Sequence, residues 1–225
     1  MVTAADVTSC ALLHALSPQR LNRLLAKASV RTHRRGEAVF RQDAPADAAW
    51  LVLEGWVHLV RMPREEEHEA RAVVLYTVTP NDVLCGISAI EQGTYTTSGI
   101  AGTSSRMLRI PAVGFREALA HEPRFACHVL RMCAGRIRRM AQQYGAMTEP
   151  VSHRLIRAIL RLQQQFGDTI PVTHRELAQM SWTTTESAIR SVRALKRDGY
   201  LAGSRGRLTV RRTGELERLL SKGHQ

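Results

Sequence analysis

The stretch Val172-Thr-His-Arg-Glu-Leu-Ala-Gln-Met-Ser-Trp-Thr-Thr-Thr-Glu-Ser-Ala-Ile-Arg-Ser-Val-Arg-Ala-Leu-Lys-Arg-Asp-Gly-Tyr-Leu201 decides how the rest of this chain reads. Thr173 and Glu176 have the spacing of a capping box, in which a hydroxyl and a carboxylate satisfy the free N–H groups at a helix start. A short helix carrying Leu177 and Ala178 on its inner side should follow. A few polar residues later Thr183 or Thr184 can cap a second helix. Ala188, Ile189, Val192 and Leu195 form its apolar stripe, and Asp198-Gly199 stops it. Beyond Gly199, Tyr200–Gly203 and Arg207–Arg211 have the composition of a hairpin. Two short helices across a tight turn, then a hairpin, make a winged helix-turn-helix.

Upstream, Pro150 interrupts a helical pattern, and Ser152 can cap a helix over Ser152–Phe166 with Leu155, Ile159 and Leu162 on one face. Before that break a long helix starts near Pro123. Ala126, Leu130, Cys133, Ile137, Met140, Tyr144 and Met147 repeat at 4-3 spacing, the seam of a coiled coil. Arg131, Arg136, Arg138 and Arg139 keep most of the other faces polar. Such a seam either pairs with a second copy or packs on the chain's own N-terminal part. In that part, Ser17-Pro18 opens a helix with Leu21, Leu24 and Leu25 inside. Short β-rich runs follow at Glu37–Arg41, Ala49–Leu53, Trp56–Arg61, Ala72–Thr77 and Ser105–Ile110, separated by turn residues, as in a small barrel or roll. The acidic run Arg64–Glu69 reads as a solvated hairpin tip. The expected fold class is therefore α+β. Residues 1–116 form a β-roll, 117–149 a long helix and 150–225 the winged helix-turn-helix.

Charge separates the same regions. Of a net charge of +12, the segment 151–225 supplies a surplus of eight, with 14 Lys/Arg against 6 Asp/Glu. Positive charge concentrated on a helix-turn-helix suits a polyanion, because each neutralised phosphate releases counterions. No run approaches the roughly 18 apolar residues of a membrane span, and the first residues lack the basic start of a signal peptide. A cytoplasmic location is the expectation. Cys10, Cys85, Cys127 and Cys133 show no metal-ligand spacing and no disulfide framework, so reduced, mostly buried thiols are expected and no metal site is. No nucleophile–base or paired-carboxylate constellation suggests an enzyme.

Over nearly its whole length the chain resembles the CRP/FNR family of bacterial transcription regulators. The run from Gly36 to Val60 is similar to the opening of that family's cyclic-nucleotide-binding β-roll, the seam helix to its dimerisation helix, and Thr185–Arg190 to its recognition helix. The resemblance implies a homodimer on an inverted-repeat operator in double-stranded DNA, with RNA polymerase as a further partner. It implies that Arg190 donates two hydrogen bonds to a guanine and Glu186 accepts from a cytosine, with Thr185 and Arg193 beside them. The alternative for Glu186 is to close a capping box with Thr183. Thr173 and Arg175 are then expected to touch phosphates, which position the domain without reading sequence. The dimer seam is expected at Leu130, Cys133, Ile137, Met140 and Tyr144.

The match departs where cyclic-nucleotide members hold the phosphate and ribose. Cys85-Gly86 stands in place of Gly-Glu, and Thr96-Thr97 in place of Arg-Ser. An unpaired phosphate in a buried pocket is costly, so cyclic AMP in the usual pose is not expected. The corresponding lining, Cys85, Gly86, Ile87, Ser88, Thr94, Thr96 and Thr97, either holds a small neutral ligand or packs shut. Cys10 stands alone where an iron–sulfur sensor needs clustered cysteines. Haem on Cys85, His14 or His128 and a thiol switch at Cys85 or Cys127 remain open, as does a ligand-binding module that does not touch DNA. No cofactor is favoured. Asp43 and Asn81 replace turn glycines, and Trp182 replaces the glycine of the helix-turn-helix turn, which leaves the aim of the recognition helix open.

Overall fold

The computed structural model describes residues 10–63, 72–80, 82–84, 86–204 and 206–221. The run Arg64–Glu69, Asn81 and Cys85 lie outside them. The chain divides into two compact units, residues 1–140 and 141–225.

In the first unit, helix α1 (Pro18–Lys27) leads into strands β1 (Ser29–His33), β2 (Ala38–Phe40), β3 (Ala48–Glu54), β4 (Val57–Arg61), β5 (Val73–Val78) and β6 (Val83–Leu84). Helix α2 (Gly86–Glu91), strands β7 (Ser98–Ala101) and β8 (Ser105–Pro111), helix α3 (Ala112–His121) and helix α4 (Pro123–Gly145) follow. The strands form two four-stranded antiparallel sheets, ordered β1-β8-β3-β6 and β2-β7-β4-β5. Strand β3 explains how one roll feeds two cores. Its side chains alternate, so Ala48, Trp50 and Val52 enter the core between the sheets while Ala49 and Leu51 enter the core under the helices. Met107 and its neighbours Leu108 and Ile110 on β8 divide the same way. Asp43 takes φ 65°, the left-handed conformation its short side chain tolerates.

The helical core is closed by Phe115 of α3 and Phe125 of α4. Both are fully buried, with ring centroids 5.7 Å apart and planes at 74°. Helix α4 therefore packs on its own roll through Phe125 and Val129, with Met132 and Cys133 partly buried beside them. The opposite face stays in water: Leu130 is 68% exposed, Ile137 65% and Tyr144 72%. The seam helix thus packs on the chain's own roll by one face and leaves large apolar residues exposed on another. The exposed apolar stripe runs Cys127, Leu130, Ala134, Ile137, Ala141 and Tyr144. Cys133 is a correction to the expected seam, since it faces the roll.

The last turn of α4 belongs to the second unit, which continues with α5 (Val151–Phe166), β9 (Thr169–Ile170), α6 (His174–Met180), α7 (Thr185–Arg197), β10 (Leu201–Ser204), β11 (Arg207–Val210) and α8 (Thr213–Ser221). Helix α5 begins one residue earlier than Ser152 predicts, and Pro150 rather than Ser152 precedes its first turn. Leu155, Ile159 and Leu162 are buried as their spacing requires. Strands β10 and β11 pair antiparallel, and β9 adds a third strand to the wing.

Replacing Phe125 with Ala should destabilise the first unit by about 3–5 kcal/mol, the usual cost of emptying a buried aromatic site. Denaturant unfolding followed by tryptophan fluorescence measures this, and a loss below about 1 kcal/mol would show that α4 is not anchored here.

Candidate nucleic-acid interface

The start of α6 is built as its sequence dictates. Thr173 Oγ1 accepts the Glu176 N–H at 3.2 Å, and Glu176 Oε2 accepts the Thr173 N–H at 2.7 Å. The Thr173 hydroxyl also donates to Glu176 at 2.7 Å. Both donors of Thr173 are thereby engaged by Glu176. Arg175, two residues on, is exposed.

Thr184, not Thr183, caps α7. Its Oγ1 accepts the Ser187 N–H at 3.1 Å, which places Ser187 in the capping-box position and Glu186 outside it. Ala188, Val192 and Leu195 are buried against the unit, and Ile189 is half-buried. The opposite face carries Glu186, Arg190, Arg193 and Arg197, all exposed and spaced four, three and four apart. Arg197 was legible from that spacing and was overlooked. Thr185 is half-buried at the helix start. Arg190 donates to Ser187 Oγ at 3.3 Å, a weak contact that leaves most of its guanidinium exposed.

The turn between the helices survives without glycine because Trp182 adopts φ 49°. A left-handed bulky residue costs on the order of 1–3 kcal/mol and must be held by its surroundings. Arg154 of α5 does so by donating to the Trp182 carbonyl at 3.1 Å. Lys196 fixes the other end of α7 to the wing by donating to the Gly203 carbonyl at 2.9 Å. Gly203 is obligatory there: its φ is 117°, and an added Cβ would lie 2.3 Å from the Arg207 carbonyl oxygen.

His174, the first residue of α6, was not anticipated. Partial burial, then the positive charges of Lys196 and Arg193, hold its imidazole below the ordinary histidine value. It marks where the two helices converge their cations.

In the first unit a cavity of about 220 Å³ opens between the roll and α4. Gly86, Ile87, Ser88, Thr96 and Thr97 line it. Thr94 instead bridges to Pro45. The sequence reading missed the rest of the lining: Leu59, Leu75, Tyr76 and Val83 from the roll, and Val129, Met132, Cys133, Arg136 and Met140 from α4. Arg136 donates to Val83 O at 2.5 Å and to Asp82 Oδ1 at 3.0 Å, and its guanidinium sits 5.0 Å over the Tyr76 ring. His14, Cys127 and His128 line a separate hollow of about 370 Å³ with Arg124 and Arg131. Among the described residues no three His, Cys, Asp or Glu side chains are placed to hold a metal ion, and no helix is long and apolar enough to cross a membrane.

A capped helix pair with a basic face and a three-stranded wing defines a winged helix-turn-helix DNA-binding protein. Residues 153–219 match the Crp-like helix-turn-helix domain family, and residues 30–122 match the cyclic nucleotide-binding domain family. The chain belongs to the CRP/FNR family of transcription regulators and is a DNA-binding regulator, not an enzyme. It is 24% identical over 210 residues to the cyclic AMP receptor protein of Thermus thermophilus, covering 92% of this chain and 95% of that one. It is also 24% identical to a CRP-like cAMP-activated global transcriptional regulator of Mycobacterium tuberculosis, over 74% of this chain and 77% of that one. The structure of FixK2 from Bradyrhizobium japonicum superposes with a TM-score of 0.75 at 16% identity, over 85% of this chain and 96% of that one.

Arg190→Ala should lose roughly 1–3 kcal/mol on the preferred sequence and relax preference at one guanine per half-site, whereas Arg175→Ala should weaken all sequences equally. Competition binding on a set of single-base operator variants separates the two patterns. Equal losses without altered preference in both mutants would remove α7 from base reading. Because the His174 value is lowered on folding, the unfolded chain takes up the proton first as pH falls below about 6.5. The second unit should therefore lose stability through that range, and His174→Gln should flatten the loss in unfolding curves between about pH 7.5 and 5.

Proposed function

We propose that this regulator works as a cytoplasmic homodimer that recognises an inverted repeat and is not switched by cyclic AMP in the usual pose. The exposed stripe of α4 is the observation that carries the dimer. Leu130, Ile137 and Tyr144 are too large and too regularly placed to be scattered surface residues. Two such stripes paired in parallel bury each other and set the α7 helices of two chains about one DNA turn apart, roughly 34 Å. Arg190 and Glu186 then read bases in each half-site, with Thr185 and Arg193 beside them and Arg175 on the phosphates. RNA polymerase is the expected further partner on the bound promoter.

The T. thermophilus and M. tuberculosis relatives are named for cyclic AMP. Among the described lining residues of this cavity Arg136 alone is charged, and Asp82 and Val83 already engage it. No carboxylate in that lining accepts the ribose hydroxyls.

Selection from random duplexes should enrich a palindrome, with affinity falling steeply as salt rises. Ile137→Asp should yield monomers by sedimentation and lose that palindrome preference, and calorimetry with cyclic AMP should show no heat. Enrichment of no repeat, an unchanged Ile137→Asp dimer, or tight cyclic AMP binding that raises operator affinity would each contradict the corresponding part.

A further inference from the structure

The hollow beside the start of α4 is walled by two segments that the core holds in place. Cys10, Leu12, Leu13 and Leu16 are buried, so the short 3₁₀ turn Leu13–Ala15 is pinned from beneath. On the other side Phe125 and Val129 enter the same core. What these anchored segments leave unburied lines the hollow: His14 from the turn, and Arg124, Cys127, His128 and Arg131 from α4. With 3.6 residues per turn, Arg124, His128 and Arg131 fall on one side of the helix as neighbours. Ala11 and Ala15 complete the wall, and their small side chains leave it concave.

Charge in this hollow is one-sided. Its described lining holds two guanidinium groups, two imidazoles and a thiol, and no carboxylate. Among the described residues, Arg124, Arg131, His14 and His128 have no hydrogen-bond or ion-pair partner. Glu122, the acid closest to Arg124 in sequence, accepts the Ser17 hydroxyl. Other arginines of the same unit are matched, Arg106 by Glu54, Arg109 by Asp47 and Arg136 by Asp82. Cations gathered in a concavity focus positive potential there. At about 370 Å³ the space falls in the range of small-ligand sites, roughly 300–1,000 Å³. It shares no lining residue with the cavity between the roll and α4.

We propose that this hollow binds a small phosphate-bearing anion held by Arg124 and Arg131. Guanidinium forks match phosphate oxygens two bonds at a time, and a doubly charged group suits two arginines better than one carboxylate does. Ring N–H groups of His14 and His128 donate to the remaining oxygens. A hydrocarbon body would find only Ala11 and Ala15 to cover it. The position also gives the ligand a consequence. Cys127 belongs both to this lining and to the exposed stripe of α4, so the hollow borders the surface that pairs in the proposed dimer. There Arg124 and Arg131 of both copies flank one seam, and their like charge opposes association. A bound anion offsets that charge and strengthens the dimer. This consequence rests on the α4 dimer, whereas the site does not.

Calorimetry on the full chain tests the site with inorganic pyrophosphate, glucose 6-phosphate and glucose, at about 0.15 M salt to screen loose surface attraction. Both phosphates should bind and glucose should not. Either order of the two phosphates supports the site and names its source: inorganic if pyrophosphate is tighter, an ester if the sugar phosphate is. Arg124→Gln and Arg131→Gln should each weaken phosphate binding about tenfold or more. Both side chains are exposed, and circular dichroism melts check that the variants fold. Sedimentation should show a several-fold tighter dimer when pyrophosphate is added to the wild type, and no change in the double variant. Undiminished phosphate binding by the double variant would place the anion on another basic face, such as α7, and overturn the site. No heat from either phosphate would overturn it as well. Binding lost in the double variant but without effect on wild-type dimerisation would refute the coupling. A chain monomeric in every condition would contradict the α4 dimer, with the site decided by calorimetry alone.

Discussion

Phe125 and Val129 bury themselves under the roll while Leu130 and Ile137, on the next faces of the same helix, remain in water. One helix cannot bury both faces against a single roll, and apolar surface left exposed is unfavourable by about 25 cal/mol per Å². The residue pattern of α4 thus asks for two packing partners. The chain supplies one through the Phe115–Phe125 pair. In the proposed dimer a second copy supplies the other, because a two-fold axis lets one stripe satisfy its own duplicate. That constraint places everything else: it decides which face of α4 lines the roll cavity and which is available for pairing.

The DNA-facing half follows a different economy. Its two helices are held by local devices, not by a large core. The Thr173–Glu176 box fixes the start of α6, the Thr184 cap the start of α7, Arg154 the strained turn at Trp182 and Lys196 the wing. Each is worth on the order of 1 kcal/mol. Together they orient a helix whose exposed arginines repel one another, so its orientation is built before DNA arrives.

Much of this was legible in residue order. The capping box, the stop at Asp198-Gly199 and the hairpin were readable because they depend on neighbours within a few positions. The apolar period of α4 was readable too, but its phase was not. A 4-3 repeat fits two adjacent stripes, and only the roll's position shows that Cys133 turns inward while Cys127 and Ala134 turn outward. Strands β1 and β7 escaped because Ser29–His33 and Ser98–Ala101 are short and rich in polar or small residues, and the two-residue β9 exists only through its pairing with β11. The cavity was half legible. Its roll side could be located from the family pattern, whereas Arg136 sat among several arginines on α4, and nothing local marked it as the one that turns toward Asp82 and Tyr76. Tertiary placement, not propensity, sets its contacts.

In the proposed dimer, two copies joined along α4 present their α7 helices to the two half-sites of one operator. Operator duplexes in which the distance between identical half-sites is varied measure this most directly. Affinity should peak at one spacing of about one helical turn and collapse when roughly five base pairs are inserted, since half a turn moves one half-site to the opposite face of the DNA. Affinity indifferent to that insertion would mean that the two reading heads are not rigidly joined, and the α4 dimer would have to be abandoned.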